Sequence, residues 1–305
     1  MKSLSVGIFT DTALASELAK KGTASDITLF NRKTADCIYT FLVPHSYPEK
    51  FSALLQVAQV VDCAVIAIEE ITKELGETLL VLDALDIKNG LIVIKNPVDE
   101  EQLDTIFSQT KLKYKKTSQE EIMQALGNFT ASSPPKPTKI IIDHSFQVKS
   151  VGTVALGFLV SGTIKPYDKL KAMPAQKEVM IKSIQMQSRT VDGATASSRV
   201  GLCLKGLDVS DLERGTVLTD NGVKSASKFE IKYRKCPFYK NEIKEGMKLH
   251  LSLGMQFREV TIKEITTDVM TVESVKPFAI DEGERIILAD NSSVGLRLAA
   301  MGDIL

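Results

Sequence analysis

The chain has 305 residues, 44% of them hydrophobic and 25% charged, so it is long enough for two or three globular domains. Its 38 basic side chains balance 38 acidic ones, which argues against tight nonspecific binding to nucleic acid, DNA included, so any RNA contact must come from a local patch. No apolar run reaches the length of a membrane span, and the four cysteines and three histidines show no metal-ligand spacing. These features predict a cytoplasmic protein that holds no metal and contacts no membrane.

The first 130 residues alternate short apolar runs with amphipathic stretches. The predicted strands are Leu4–Phe9, Ile27–Phe30, Cys37–Val43, Cys63–Ile68 and Gly90–Ile94. The predicted helices are Thr12–Lys21, Pro48–Gln59, Thr72–Leu85, Glu100–Gln109 and Gln119–Leu126. Nearly continuous apolar strands between helices are typical of a parallel sheet with both faces covered. We therefore expect an α/β domain over residues 1–130.

The composition changes after residue 130. Residues 131–138 contain three prolines and two serines, which suit neither a helix nor a central strand, so they are predicted to form a linker. From residue 139 onwards, short runs rich in Val, Ile, Leu and Thr recur between turn residues, as in all-β barrels or sandwiches. A turn-rich stretch near residue 220 divides this part into 139–220 and 221–305, each of a size that suits a small barrel.

The second unit contains the most specific sequence pattern. Its motifs are Gly152-Thr153-Val154 with Gly157, the turn Pro166-Tyr167-Asp168, the strand start Arg199-Val200-Gly201 and the turn Glu213-Arg214-Gly215. Together with the residues around them, these motifs closely resemble the second domain of EF-Tu-type translation factors, with the selenocysteine-specific factor SelB and its archaeal relatives most similar. The resemblance implies a GTPase-like α/β domain followed by two β-barrels.

The first nucleotide motif of that family is degenerate in this chain. In the pattern G-x-x-x-x-G-K-[ST], Gly7 matches the first glycine, but Thr12, Ala13 and Leu14 replace the last three residues. The missing lysine would neutralise the phosphates, and the missing Ser/Thr would bind Mg²⁺. Residues 7–14 are therefore predicted to be a vestigial nucleotide loop.

Three further family motifs are altered. Ala24 stands at the magnesium-binding threonine, Tyr47 at the catalytic histidine, and residues 95–98 (KNPV) do not complete Asn-Lys-x-Asp. Charge-assisted hydrogen bonds contribute about 1.5–3 kcal/mol each, so losing several weakens binding by on the order of 10³ to 10⁶. We expect a pseudo-GTPase without catalytic residues and without a cofactor, which binds magnesium-GTP weakly at most.

The resemblance also implies a surface for aminoacyl-tRNA. In SelB-like factors, a polar pair at the start of the second domain and an arginine line the amino-acid pocket, and the matching positions are Asp143, His144 and Arg199. His45 and Tyr47 of the first domain would face the same cleft.

A purely structural interpretation of these residues stays open. Asp143 would then cap a turn, and Arg199 would pair with a neighbouring acid. Pro48 would simply lie in the first turn of the helix that follows.

A basic stretch with interleaved aromatic residues opens the third unit, over residues 228–248. The residues proposed to contact the tRNA are Lys232, Arg234, Lys235, Tyr239 and Lys240. Strand alternation offers a different interpretation, in which the aromatic side chains lie in the core and the lysines point outwards.

Two functions of different class follow from the sequence. The first is an EF-Tu/SelB-like carrier that binds an aminoacyl-tRNA or its acceptor end but lacks nucleotide-driven release, with the ribosome as a second candidate partner. The alternative is an interaction scaffold for a protein partner or regulatory ligand, which the neutral net charge favours. A weak, unorthodox GTP-binding protein is a third interpretation.

Overall fold

The computed structural model describes residues 2–130 and 137–305, which divide into two compact units, residues 1–132 and 133–305. Most of the predicted linker, 131–136, lies outside the described residues. No helix among the described residues is long and apolar enough to cross a membrane.

The first unit contains a mixed sheet with the strand order β2-β3-β4-β1-β5-β6-β7. Its strands are β1 (Lys2–Phe9), β2 (Lys20–Lys21), β3 (Thr28–Lys33), β4 (Cys37–Val43), β5 (Cys63–Ile68), β6 (Asn89–Ile94) and β7 (Lys115–Lys116). Its helices are α1 (Thr12–Leu18), α2 (Phe51–Ala58), α3 (Lys73–Ala84), α4 (Glu100–Ser108) and α5 (Ile122–Gly127).

The sheet is parallel from β4 to β7, as predicted, but one edge is not. Strand β3 runs antiparallel to both of its neighbours, β2 and β4. The reason is the short connection between β3 and β4, because a few residues can join antiparallel neighbours but not parallel ones. The predicted helix Thr12–Lys21 is also too long, since Ala19 is already extended and Lys20–Lys21 form the edge strand β2.

Both faces of the sheet are covered, which agrees with the nearly continuous apolar strands. One core cluster joins Val6, Phe41 and Val65 of the sheet to Leu14 of α1 and Leu126 of α5. The strand residues that point away from this cluster, such as Leu42 and Ile66, are also buried, and the helices α2 and α3 bury most of their apolar residues.

The second unit begins with a closed six-stranded barrel, called here the first barrel. In chain order its elements are β8 (Lys139–Val148), β9 (Gly152–Ser161), β10 (Thr163–Ile164), β11 (Lys169–Met173), β12 (Lys177–Met186), β13 (Arg189–Val191), β14 (Ala194–Thr195), β15 (Ser198–Lys205) and β16 (Val217–Thr219). The ring runs β11-β16-β8-β9-β15-β12 and closes through the β11–β12 pairing. Its interior is filled by residues such as Ile142, Leu159, Leu202 and Leu218.

Gly157 allows the close approach of the paired strands β8 and β9. A Cβ atom at this position of β9 would lie 2.6 Å from the carbonyl oxygen of Ile141 in β8. Any other residue would push these two strands apart.

The second barrel also has six strands and closes on itself. These are β17 (Lys224–Lys235), β18 (Lys248–Leu253), β19 (Gln256–Ile265), β20 (Val269–Ile280), β21 (Arg285–Ala289) and β22 (Leu298–Ile304), in the ring order β17-β20-β19-β18-β21-β22. The predicted fold class, an α/β domain followed by two β-barrels, is confirmed.

Candidate functional site

The predicted vestigial nucleotide loop contains only a short connection between a strand and a helix. Gly7 lies inside β1, where it pairs with β4 and β5, and α1 already begins at Thr12. Only Thr10 and Asp11 connect the strand to the helix. A Cβ atom at Gly7 would lie 2.5 Å from the ring of Phe9, so this glycine makes room for an aromatic ring. Ala13 and Leu14, the other two predicted positions, are ordinary residues of the first helical turn.

Asp11 occupies the N-terminus of α1. Its Oδ1 accepts hydrogen bonds from the amides of Ala13 at 2.7 Å and Leu14 at 3.3 Å, and its Oδ2 lies 2.5 Å from Nζ of Lys95. Burial alone would raise the pKa of Asp11, but the bonds from Lys95 and the two amides outweigh it and hold this pKa below its ordinary value. Helix N-termini commonly bind phosphate, whereas this one holds the protein's own carboxylate.

A cavity of about 450 Å³ opens at the carboxyl ends of β1, β4 and β5. Its charged lining residues are all acidic: Asp11, Glu69, Glu70 and Glu74. Lys95 pairs with Asp11, and its Nζ also lies 3.7 Å from Oε1 of Glu69. Two carboxylates of the protein therefore neutralise its charge. The lining of this cavity is therefore acidic.

Tyr47, which stands where the family has its catalytic histidine, lines the same cavity. Its hydroxyl lies 3.0 Å from the carbonyl oxygen of Glu74 and 3.1 Å from Oε2 of the buried Glu77. Tyr47 therefore ties the turn after β4 to α3. His45 lies in this turn with an exposed side chain, and Pro48 lies there too instead of in α2, which corrects the prediction for that proline.

The structure brings Asp143 and Arg199 together on the outer side of the first barrel. Their Oδ2 and Nη2 atoms are 2.7 Å apart, and both side chains are only 11–12% exposed. Asp143 is the extra residue of a bulge in β8, and Arg199 lies opposite Phe158 of β9 with its guanidinium 5.5 Å from that ring. The ion pair agrees with the structural interpretation of Arg199 that the sequence left open.

Two buried atoms of this pair nevertheless have no hydrogen-bond partner within the described part of the chain. They are Oδ1 of Asp143 and Nε of Arg199. A buried polar group without a partner costs about 1–3 kcal/mol, so the pair presents one free acceptor and one free donor. Both atoms are buried, and the residues that the structure describes leave them unsatisfied.

The other proposed pocket residues are placed differently. His144 is exposed, its ring packs 5.9 Å from that of Phe146, and no bond joins it to the ion pair. His45 and Tyr47 belong to the first compact unit. Sequence reasoning recognised Glu213-Arg214-Gly215 as a turn but missed the contact of Arg214 with Asp143, in which Nε of Arg214 donates to the carbonyl oxygen of Asp143 at 3.4 Å.

The residues proposed to contact tRNA in the second barrel divide into two groups. Lys232, Arg234, Lys235 and Lys240 are exposed. Tyr239 is only 2% exposed, and its hydroxyl donates to Oδ2 of Asp290 at 2.6 Å. The prediction of a contact through the Tyr239 ring is therefore wrong, because the ring packs in the barrel, as the alternation of aromatic and basic residues also allowed.

Comparison with known proteins identifies the class to which this architecture belongs. Residues 152–219 match the sequence profile of elongation factor Tu domain 2. The chain is 27% identical to the selenocysteine-specific elongation factor of Methanocaldococcus jannaschii, over 95% of this chain and 72% of that protein. The chain belongs to the EF-Tu/SelB-type family of translation elongation factors, as its sequence motifs predicted.

Two further relatives match over the whole chain. An uncharacterized protein of Methanocaldococcus jannaschii is 36% identical, and the alignment covers both chains completely. The crystal structure of translation elongation factor SelB from Methanococcus maripaludis in complex with a GTP analogue has a TM-score of 0.85 over this whole chain and 79% of that one. At 22% identity, this second likeness shows a shared fold.

Proposed function

We propose that this protein is a carrier that binds the aminoacyl end of a charged tRNA without a nucleotide switch. The family supports a partner in translation, but aminoacyl binding and the loss of GTP binding are both parts of the proposal. The protein is then a pseudo-GTPase that needs neither GTP nor Mg²⁺.

The unsatisfied pair Asp143–Arg199 carries the aminoacyl half of the proposal. An aminoacyl ester offers an ammonium group that can donate to Oδ1 of Asp143, and a carbonyl or polar side chain that can accept from Nε of Arg199. Its binding would satisfy both buried atoms at once, which makes the interaction stronger than the same contacts on an open surface.

The nucleotide half rests on the acidic cavity of the first domain. The carboxylate of Asp11 already accepts hydrogen bonds from the first amide groups of α1, and Lys95 forms ion pairs with Asp11 and Glu69. A triphosphate would have to displace this carboxylate and then face three more. We therefore expect a titration with a fluorescent GTP analogue to show no saturation below about 1 mM, since losing several charge-assisted bonds turns a micromolar site into a millimolar one.

The decisive experiment follows the hydrolysis of bulk aminoacyl-tRNA esters with and without the protein, each with and without magnesium-GTP. We expect slower hydrolysis that GTP does not change, and the amino acids that survive would identify the cargo. Protection that requires GTP would favour an unorthodox GTP-binding protein instead. The absence of protection under both conditions would favour the scaffold.

A further inference from the structure

The turn before β11 holds an exposed aromatic ring in an unusual backbone conformation. Tyr167 has a φ of 74° and is 73% exposed. In this left-handed region a residue with a side chain costs about 1–2 kcal/mol, and glycine is the usual occupant. A large exposed ring here has no packing role that offsets this cost.

Hydrogen bonds on both sides of Tyr167 fix the turn. The amide of Lys165 donates to Oδ2 of Asp168 at 2.7 Å. The amide of Tyr167 donates to the carbonyl oxygen of Ile181 at 2.6 Å. The amide of Ile181 donates to the carbonyl oxygen of Asp168 at 3.0 Å. The backbone is therefore held to β12, and the ring is presented to solvent from a rigid turn.

Four lysines lie on the outer wall of the same part of the barrel. Lys169 and Lys171 belong to β11, Lys182 to β12 and Lys205 to β15. All four are exposed, and Met180 lies opposite both Lys169 and Lys205 in the strand register. A groove of about 380 Å³ runs over this wall and is lined by three of the lysines.

These lysines differ from their neighbours because their charges are not neutralised. Lys139 pairs with Asp281 and Glu284, and Lys177 pairs with Asp211. Within residues 137–305, none of the four wall lysines forms an ion pair. Glu178 and Asp220 also line the groove, so three positive charges face two negative ones there, and Lys182 adds a fourth positive charge outside the groove lining.

We propose that this wall binds a single strand of RNA, with phosphates on Lys169, Lys171 and Lys205 and one unpaired base stacked on Tyr167. Lysines along a groove, and an exposed aromatic ring in the turn that leads into one of its strands, are the two features that proteins combine to bind single strands. An acidic peptide would satisfy the lysines but would not need the ring. The inference goes beyond the proposed function, because it concerns RNA that carries no amino acid and a surface other than the Asp143–Arg199 pair.

The test measures fluorescence anisotropy of a labelled single-stranded RNA of about 12 nucleotides, a length within the usual site size. Tyr167→Gly should weaken binding by about 5- to 150-fold, the range for one stacked base. It should also leave the melting temperature unchanged or higher, because glycine tolerates the conformation. Gln176→Gly is the matched control, since Gln176 of the same barrel has a φ of 59° and should affect only stability.

Charge variants complete the test. Lys169→Gln and Lys205→Gln should each reduce the slope of log affinity against log salt by about 0.7, whereas Lys177→Gln, whose lysine is paired with Asp211, should not. Unchanged affinity in the Tyr167 and lysine variants would overturn the proposal. Loss of affinity in the lysine variants alone, with equal competition by polyglutamate, would replace RNA by an acidic protein segment. Because the probe has no aminoacyl group, neither outcome bears on ester protection.

Discussion

The cavity of the first domain and the outer side of the first barrel differ in whether their charged side chains are fully hydrogen-bonded. In the cavity, Asp11 is bonded to two amides and to Lys95, so the site is satisfied by the protein itself. On the barrel, Asp143 and Arg199 each keep a buried atom without a partner in the described residues. The first arrangement leaves the Asp11 carboxylate satisfied, and the second leaves the two atoms for which the proposed function supplies a ligand.

The charge distribution follows the same division. Residues 1–130 carry 13 Lys and Arg against 18 Asp and Glu, whereas residues 139–220 carry 11 against 8. The neutral total therefore conceals an acidic first domain and a basic first barrel. For binding an anion such as RNA, the barrel is the favourable part of the chain.

The largest effect is expected when the unsatisfied pair is broken. Arg199→Ala leaves Asp143 buried and unpaired, which should lower the free energy of unfolding by about 3–5 kcal/mol. Ester protection should be lost in the same variant. Urea unfolding and the hydrolysis assay measure the two consequences.

A double variant separates stability from binding. Asp143→Leu combined with Arg199→Met removes both charges and should recover most of the stability, because two apolar groups leave no buried charge. Ester protection should stay lost. Normal protection by this folded variant would contradict the proposed site.

Much of the first domain was predictable because its signals are local. The strands Cys37–Val43 and Cys63–Ile68 have the predicted bounds, since each is an unbroken apolar run between turn residues. The end of α1 was not predictable, because Lys20 and Lys21 suit a helix equally well and became a strand only by pairing with β3.

The chemistry of the candidate sites was less predictable because its contacts are long-range. Asp11 and Lys95 are 84 residues apart, and their ion pair cannot be deduced from either motif. The bulge that places Asp143 against Arg199 cannot be recognised from the alternation of apolar and polar residues in β8. Tyr239 was misjudged because a polar tip does not reveal whether its partner is solvent or a buried carboxylate such as Asp290.

A middle-sized effect is expected from Asp11→Asn, which keeps a helix cap but loses the charge that pairs with Lys95. The free energy of unfolding should fall by about 1–2 kcal/mol at neutral pH. Because folding lowers the pKa of Asp11, this difference should be fully present above the ordinary value of 3.8 and should vanish as pH falls through the lower pKa of the folded state. Denaturation at neutral pH and near pH 3 measures it.

The control for this variant is another helix cap. Asp99 caps α4 through the amide of Gln102 and has no ion pair among the described residues, so Asp99→Asn should change stability by only a few tenths of a kcal/mol. Equal losses of unfolding free energy in both variants would mean that the ion pair with Lys95 contributes nothing to stability. Micromolar GTP binding by Asp11→Asn would show that a single carboxylate had closed the nucleotide site.

The smallest effect is expected from Tyr47→Phe, which tests whether this residue belongs to the first domain alone or also to the aminoacyl site. Loss of the hydroxyl contacts with Glu74 and Glu77 should cost about 1 kcal/mol of stability. Ester protection should not change, because the hydroxyl is already bonded within its own domain. Tyr114→Phe is the matched control, since its hydroxyl also donates to a backbone carbonyl, that of Ile87 at 2.7 Å. Lost protection in Tyr47→Phe, with protection intact in Tyr114→Phe, would assign the Tyr47 hydroxyl to the ligand.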